Sequence, residues 1–304
     1  MNLQGRVALV TGAGVSLGRS YALTLARLGA TVFVNDLHPS GRADAPSDQP
    51  TVEAITEAGG KAVWLPGDVS SERDAHRMIE TVVAQAGRLD ILINNAGVNL
   101  AMPFAETQMA DFERVIRVHL MGSVYMTHAA WPVMTEQRYG RVILTTSSSI
   151  LGSAGQAAYS AAKMGIWGLL TALGLEGEPL GIRVNAIAPC ARAKDMVGAF
   201  TDQFMQAMDP ATVSEAVAFL ASDDAPQRRV LYAGGGGLST LRIVDSGGVF
   251  IGRDADADVI RERYSEIEAM HDPREYGQTI EHITRFNRDI GISHDIWLPD
   301  LGMN

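Results

Sequence analysis

Val7-Ala8-Leu9-Val10-Thr11-Gly12-Ala13-Gly14-Val15-Ser16-Leu17-Gly18-Arg19 reads as a short strand, a glycine-rich turn and the opening of a helix. Four apolar residues in a row with no polar face are what a strand shows when both its sides are covered. Gly12 permits the tight turn and Gly18 the close packing of helix on sheet, while the helix start offers N–H groups and a dipole to a pyrophosphate. A glycine-rich turn alone is more often only a turn. Here Asp36 ends the next strand-like run, 18 residues past Gly18, which matches the dinucleotide fingerprint. Gly12, Gly14, Ser16, Leu17 and Gly18 are therefore candidate cofactor residues. The Asp36 carboxylate would accept hydrogen bonds from both ribose hydroxyls and repel a 2′-phosphate, so NAD is expected rather than NADP. Arg19 argues the other way, but Val15 and Leu37, where a phosphate-binding base belongs, are neutral.

Outward from this unit, strand-like runs alternate with helical patterns. Strands are expected at 7–10, 31–35, 62–65, 91–93, 141–145 and 182–187, and at 230–232 or 242–244; helices at 20–28, 51–58, 71–86, 110–136, 159–176 and 212–221. Such alternation predicts an α/β fold with a doubly wound, Rossmann-like parallel sheet. Residues 38–50, rich in Pro, Ser, Asp and Gly, read as a surface loop. The dinucleotide-binding and catalytic domain is expected over 1–252, followed by a C-terminal helical extension over 253–304 with helices at 256–270 and 278–289. The long apolar helices at 110–136 and 159–176 suit subunit packing, hence a homodimer or homotetramer.

Composition narrows the class. A chain of 304 residues, 46% hydrophobic, can bury a large core. Net charge −10 without a basic stripe argues against nucleic acid. One cysteine, Cys190, makes no internal disulfide, and 7–10 follows no signal-like start, so a cytoplasmic protein is expected. The most apolar stretch, 164–175, is too short for a bilayer, so no membrane role is expected. The seven histidines show no paired spacing for zinc, so no metal is expected.

Tyr159-Ser160-Ala161-Ala162-Lys163 brings the chemistry. Four residues are one helical turn, so the phenol and the ammonium project from one face toward one bound alcohol. A phenol beside a fixed positive charge loses its proton more readily than its ordinary value of about 10 allows. By itself the pattern also decorates ordinary helix surfaces; with the dinucleotide fingerprint it indicates a nicotinamide-dependent alcohol dehydrogenase. After the third strand, Asp68 with Val69 would meet the adenine amino group, or cap the following helix. After the fourth, Asn95, Ala96 and Gly97 let backbone approach the cofactor or brace the sheet.

With these pieces in order, the chain resembles the short-chain dehydrogenase/reductase family: the Thr11-to-Gly18 turn, Asn94-Asn95-Ala96-Gly97, a strand-end serine, Tyr159 and Lys163, then a strand leading to Pro189. Within it the chain most resembles the (3R)-hydroxyacyl-CoA dehydrogenase group, known as part of peroxisomal multifunctional enzyme type 2 and its bacterial relatives. Val34-Asn35-Asp36-Leu37, Arg117-Val118-His119-Leu120-Met121-Gly122-Ser123, Ala129-Ala130-Trp131, Tyr139-Gly140-Arg141 and Gly155-Gln156-Ala157 carry that likeness. The resemblance implies that Tyr159 is the acid/base, that Lys163 lowers its pKa and holds the nicotinamide ribose, and that a strand-end hydroxyl donates to the carbonyl oxygen. Counting back from Tyr159 by the family's interval reaches Thr146, and counting forward along the strand reaches Ser147; Ser147 is taken, with Thr146 and Ser148 in reserve. His119 stands where the wider family has an asparagine beside a proton path, or is a histidine satisfied in the helix core. Ser16 replaces the family's middle glycine, and Cys190, Arg192 and Lys194 depart from its pattern near the nicotinamide.

The substrate implied is a small molecule, a 3-hydroxyacyl-CoA with a bulky acyl part, with a hydroxysteroid or other free secondary alcohol as the alternative. Arg192, Lys194, Arg228 and Arg229 are candidates for CoA phosphates, and apolar residues between Met196 and Met208 for a lid. From another class, a non-catalytic NAD-binding scaffold or redox sensor stays open.

Overall fold

A computed structural model describes residues 1–37, 50–191, 208–246 and 248–289. The chain divides into two compact units, Met1–Leu241 and Arg242–Asn304.

The first unit is built on β1 (Val7–Val10), every residue of which is buried. It pairs in parallel with β2 (Thr31–Asp36) on one side and β4 (Ile91–Asn94) on the other. With β3 (Lys61–Pro66), β5 (Gly140–Thr145), β6 (Ile182–Pro189), β7 (Val230–Gly234) and β8 (Gly237–Leu241), these strands form one sheet in the order β3-β2-β1-β4-β5-β6-β7-β8. The chain order turns around at β1 and β4, so the carboxyl ends of these strands frame the crevice where such sheets bind ligands.

Side chains alternate along β1 into two cores, as a period of two requires. Ala8 and Val10 pack with α1 (Ser16–Arg27), α2 (Pro50–Glu57) and α7 (Ala211–Leu220) through Tyr21, Leu25, Ile55 and Val217. Val7 and Leu9 pack with α3 (Glu72–Ala86), α5 (Gly122–Gln137) and α6 (Ala157–Gly177) through Met78, Val82, Met126 and Ile166.

One expectation changes, one alternative resolves and one strand is new. The helix read over 110–136 is α4 (Met109–Ile116), a π turn over Arg117–Met121 and α5. The extra residue in that turn belongs to the stretch carrying His119, a local geometry that hydrophobic spacing does not encode. The strand at 230–232 forms, as β7, and Arg242, Ile243 and Val244 lie outside any strand. Between them is an unforeseen strand, β8, antiparallel to β7 with Gly234 paired to Gly237. Gly235 and Gly236, at φ 57° and 82°, form the two-residue turn with both central residues left-handed that joins twisted strands.

In the second unit, α8 (Ala257–Glu268) is capped by the Asp256 carboxylate, which accepts from the Asp258 and Val259 N–H groups at 3.0 and 3.1 Å. A second helix, α9 (Thr279–Asp289), follows, and its Arg285 donates to the Tyr276 hydroxyl at 2.9 Å. No helix among the described residues is long and apolar enough to cross a membrane.

Candidate active site

The turn after β1 is fixed by its neighbours rather than by its own residues. The Thr11 hydroxyl accepts from the Asn95 and Ala96 N–H groups at 2.9 and 3.1 Å, locking the ends of β1 and β4 together. The Asn95 side-chain amide donates to the Thr11 carbonyl at 2.9 Å and the Gly12 carbonyl at 3.2 Å. Asn95 thus braces the turn. A side chain at Gly18 would overlap the Gly12 carbonyl oxygen and the Asn95 amide, so glycine there is a packing requirement.

A cavity of about 360 Å³ opens at this edge, lined by Gly12, Val15, Ser16, Leu17, Gly18, Asn35, Asp36, Leu37, Gly67, Asp68, Val69, Asn95, Ala96, Gly97, Val98 and Val118. Of the residues assigned to the cofactor from sequence, Gly14, Tyr159, Lys163 and Pro189 stand outside this lining. Gly14 acts behind it, its N–H donating to the Asp36 carboxylate at 3.1 Å. The other Asp36 oxygen accepts from the Leu37 N–H at 2.8 Å, so the carboxylate is held at the strand end. Arg19 turns away, donating to the Pro50 carbonyl at 2.6 Å and the Thr51 hydroxyl at 3.3 Å. The Asp68 carboxylate accepts from the N–H and hydroxyl of Ser70 at 2.8 and 2.7 Å, and the cap of α3 is Ser71. The capping alternative for Asp68 therefore falls.

Ser16 carries φ 51°, a left-handed backbone that costs a residue with a β-carbon about 1 kcal/mol. Ser16→Gly is expected to raise the midpoint of thermal unfolding by about 2 °C. An unchanged or lower midpoint in calorimetry would show that the hydroxyl outweighs the strain.

Cavity-lining Gly97 packs against the His119 ring, which belongs to a buried polar cluster. Lys163, 3% exposed, donates to the Thr145 carbonyl at 2.6 Å, and its ammonium lies 5.4 Å from the centre of the Tyr159 ring. Burial pushes its pKa down from 10.5 to about 7. The His119 ring meets the Tyr159 ring edge-on, with centroids 5.1 Å apart. His119 Nε2 lies 2.8 Å from the Val98 carbonyl oxygen and 3.1 Å from the Val98 N–H. These contacts demand opposite protonation states, and the shorter one assigns the proton to Nε2. Nδ1 is then a buried acceptor with no hydrogen-bond partner among the described residues. Burial, and then the Lys163 charge, push the His119 pKa down to about 3 against the Val98 hydrogen bond, so the imidazole is neutral at physiological pH. Among the described residues, His119 is thus satisfied at one ring nitrogen and not at the other.

The three hydroxyls at the end of β5 separate by their partners. Thr146 is fully buried and donates to the Lys163 backbone carbonyl at 2.9 Å, which ties β5 to α6. Ser147 is half-buried and caps the short turn Ser148–Leu151, accepting from the Ser149 N–H at 3.1 Å. Ser148 is exposed. Ser147 and Ser148 are therefore not committed to joining β5 to α6, and of the two Ser147 is the half-buried one.

Sequence reasoning missed Thr11 and Thr51, whose hydroxyls bond backbone groups around the turn and leave no spacing signal. Arg228 and Arg229, the candidates for CoA phosphates, stand before β7. Pro189 pairs with Ala233 at the carboxyl end of β6 and β7, whereas the Arg228 N–H bonds the Val184 carbonyl, five residues upstream of Pro189 and roughly 16 Å along the strand. Arg192, Lys194 and the apolar residues from Met196 to Met205 lie outside the described residues, as do 38–49 of the expected loop.

A family model described as short chain dehydrogenase matches residues 6–204. A short-chain type dehydrogenase/reductase of Mycobacterium tuberculosis is 35% identical over 271 residues, 87% of this chain and 94% of its own. The peroxisomal multifunctional enzyme type 2 of Drosophila melanogaster is 36% identical over 290 residues; the match covers 92% of this chain and 48% of that enzyme, so the chain spans about half its length. The solved structure of the full-length fly enzyme superposes with a TM-score of 0.82 at 30% identity, over 95% of this chain and 50% of that one. A short chain dehydrogenase from Mycobacterium avium gives 0.77 at 33% identity, over 88% of this chain and 95% of its own. The family model spans well over half of the chain and the tuberculosis relative matches nearly all of it, so the chain belongs to the short-chain dehydrogenase family.

Proposed function

We propose that the protein is an NAD-dependent dehydrogenase that interconverts a secondary alcohol and a ketone, with a 3-hydroxyacyl-CoA as substrate. The observation that carries the reading is the buried Lys163 ammonium beside the Tyr159 ring, which meets the His119 ring packed against Gly97 of a cavity that Asp36 also lines. The residues fit a dinucleotide. Gly12, Gly18 and Gly97 line the cavity with bare backbone that a pyrophosphate would meet, each held to glycine by packing against Ala96, the Gly12 carbonyl or His119, and Asp36 offers its carboxylate to ribose hydroxyls from the same lining.

In the oxidative direction the Tyr159 oxygen takes the proton of the substrate hydroxyl. Lys163 stabilises the phenolate that must exist before that step, and Ser147 donates a hydrogen bond to the carbonyl oxygen as it forms. A placed donor of this kind contributes about 10² to 10³ in rate. NAD, when bound, supplies the acceptor for the hydride that leaves the same carbon. Neutral His119 orders the Val98 backbone and offers Nδ1 as an acceptor beside Tyr159.

The thioester is supported by a relative named as a hydroxy(phenyl)methyl-succinyl-CoA dehydrogenase subunit, from Thauera aromatica, 32% identical over 248 residues. Exposed Met102, Phe104 and Leu151, on the segments after β4 and β5, offer apolar surface to an acyl group. The single cysteine supports the cytoplasm as the compartment, and the apolar α5 and α6 a homo-oligomer. Purified protein with NAD should produce the reduced-nicotinamide absorbance with 3-hydroxyacyl-CoAs. Preference for free hydroxysteroids would overturn the substrate, and tight NAD binding without turnover of any alcohol would leave a binding protein.

Asp36→Ala is expected to weaken NAD binding tenfold or more, because charge-assisted hydrogen bonds to the ribose are lost, and to raise the NADP-to-NAD affinity ratio. Titration of both dinucleotides checks this; an unchanged ratio assigns the preference to another group.

A further inference from the structure

We infer that Thr51 is a positioning residue for the cofactor: from the start of α2 it orients two peptide groups of the glycine turn, one whose N–H holds the Asp36 carboxylate and one whose N–H belongs to cavity-lining Val15. The inference rests on the reading of the cavity as a dinucleotide site.

Thr51 is 1% exposed, and its hydroxyl lies 3.0 Å from the Ala13 carbonyl and 3.1 Å from the Gly14 carbonyl. One hydroxyl proton shared between two acceptors holds both carbonyls toward α2. A trans peptide sets its N–H opposite its C=O, so turning the Ala13 carbonyl toward Thr51 turns the Gly14 N–H away from it. That N–H is the one that meets the Asp36 carboxylate at 3.1 Å. By the same geometry, holding the Gly14 carbonyl turns the next N–H, that of cavity-lining Val15, away from α2. Carbonyl oxygens swung into the cavity would repel a pyrophosphate; Thr51 keeps these two out.

Thr51 is itself held. Arg19 Nη1 donates to the Thr51 hydroxyl at 3.3 Å and to the Pro50 carbonyl at 2.6 Å. A donor from Arg19 occupies a hydroxyl lone pair and so directs the Thr51 proton toward the carbonyls. The cation of α1 therefore acts through Thr51 on the turn. With Val at 51, two carbonyls lose their partner and the turn is free to rotate.

The test compares wild type, Thr51→Val and Thr51→Ser by calorimetric titration with NAD and by steady-state kinetics. Thr51→Val should raise the NAD Kd and KM about fivefold to tenfold, while kcat at saturating NAD stays within about twofold. Thr51→Ser, which keeps the hydroxyl, should restore NAD binding. NAD affinity unchanged in Thr51→Val, or equally lost in Thr51→Ser, would overturn the inference. If Thr51→Val does not fold, Arg19→Met serves, with a smaller rise in Kd expected and an unchanged Kd counting against the role. Wild type that binds no dinucleotide would instead overturn the reading of the cavity, a separate result seen in the control.

Discussion

Tyr159→Phe is expected to lower kcat by about 10² to 10⁴ while NAD affinity stays within about twofold. The substitution removes one oxygen and keeps the ring, so the edge-on contact with His119 and the neighbouring Lys163 ammonium remain. The effect should fall on kcat because the lost group acts on a proton that moves only in the reaction. Alcohol oxidation needs an oxygen base in place before hydride departs, and neither neighbour substitutes for it. His119, with its pKa pushed down to about 3, is too weak a base, and the Lys163 ammonium donates to the Thr145 carbonyl. Single-turnover kinetics with saturating NAD check this. More than a tenth of wild-type turnover would remove Tyr159 from the acid/base role.

The parallel sheet was legible because covered strands and amphipathic helices leave different periodicities, and β1 shows this most clearly: four apolar residues, two facing each core. Tyr159, Lys163 and Asp36 were legible because spacing alone sets them at one helical turn or one strand end. The rest turns on backbone. The hairpin of β7 and β8 was hidden because its glycine turn joins strands with little apolar alternation. The π turn at His119 changes which way an imidazole points without changing the residue pattern. Thr51 and Thr11 bond carbonyls and N–H groups of distant segments, and a carbonyl carries no sequence letter. That the Thr146 hydroxyl is tied to α6 was likewise beyond reach, because its partner is a backbone carbonyl 17 residues away.

Lys163→Met should abolish most activity and yet stabilise the fold. Folding places the ammonium in a site that disfavours its charge, and its pKa falls from 10.5 to about 7 with burial as the cause. The unfolded chain therefore holds more protons between these values, and stability rises with pH across that window. Above about pH 10.5 both states are neutral at this residue and its contribution is fully present. As pH falls from 10.5 to 7 the contribution is lost, and below 7 the folded state carries the whole cost of a buried cation, on the order of 5 kcal/mol. Methionine removes that cost but leaves the Thr145 carbonyl without its partner, a loss of about 1 to 3 kcal/mol. The difference predicts a variant more stable than wild type by about 2 to 4 kcal/mol at pH 6 and equal or less stable near pH 10. Denaturant titrations at pH 6, 8 and 10 test the sign directly. A variant less stable at every pH would mean that the ammonium is well solvated in its site, and the argument that this lysine is strained for the sake of the phenol would fall with it.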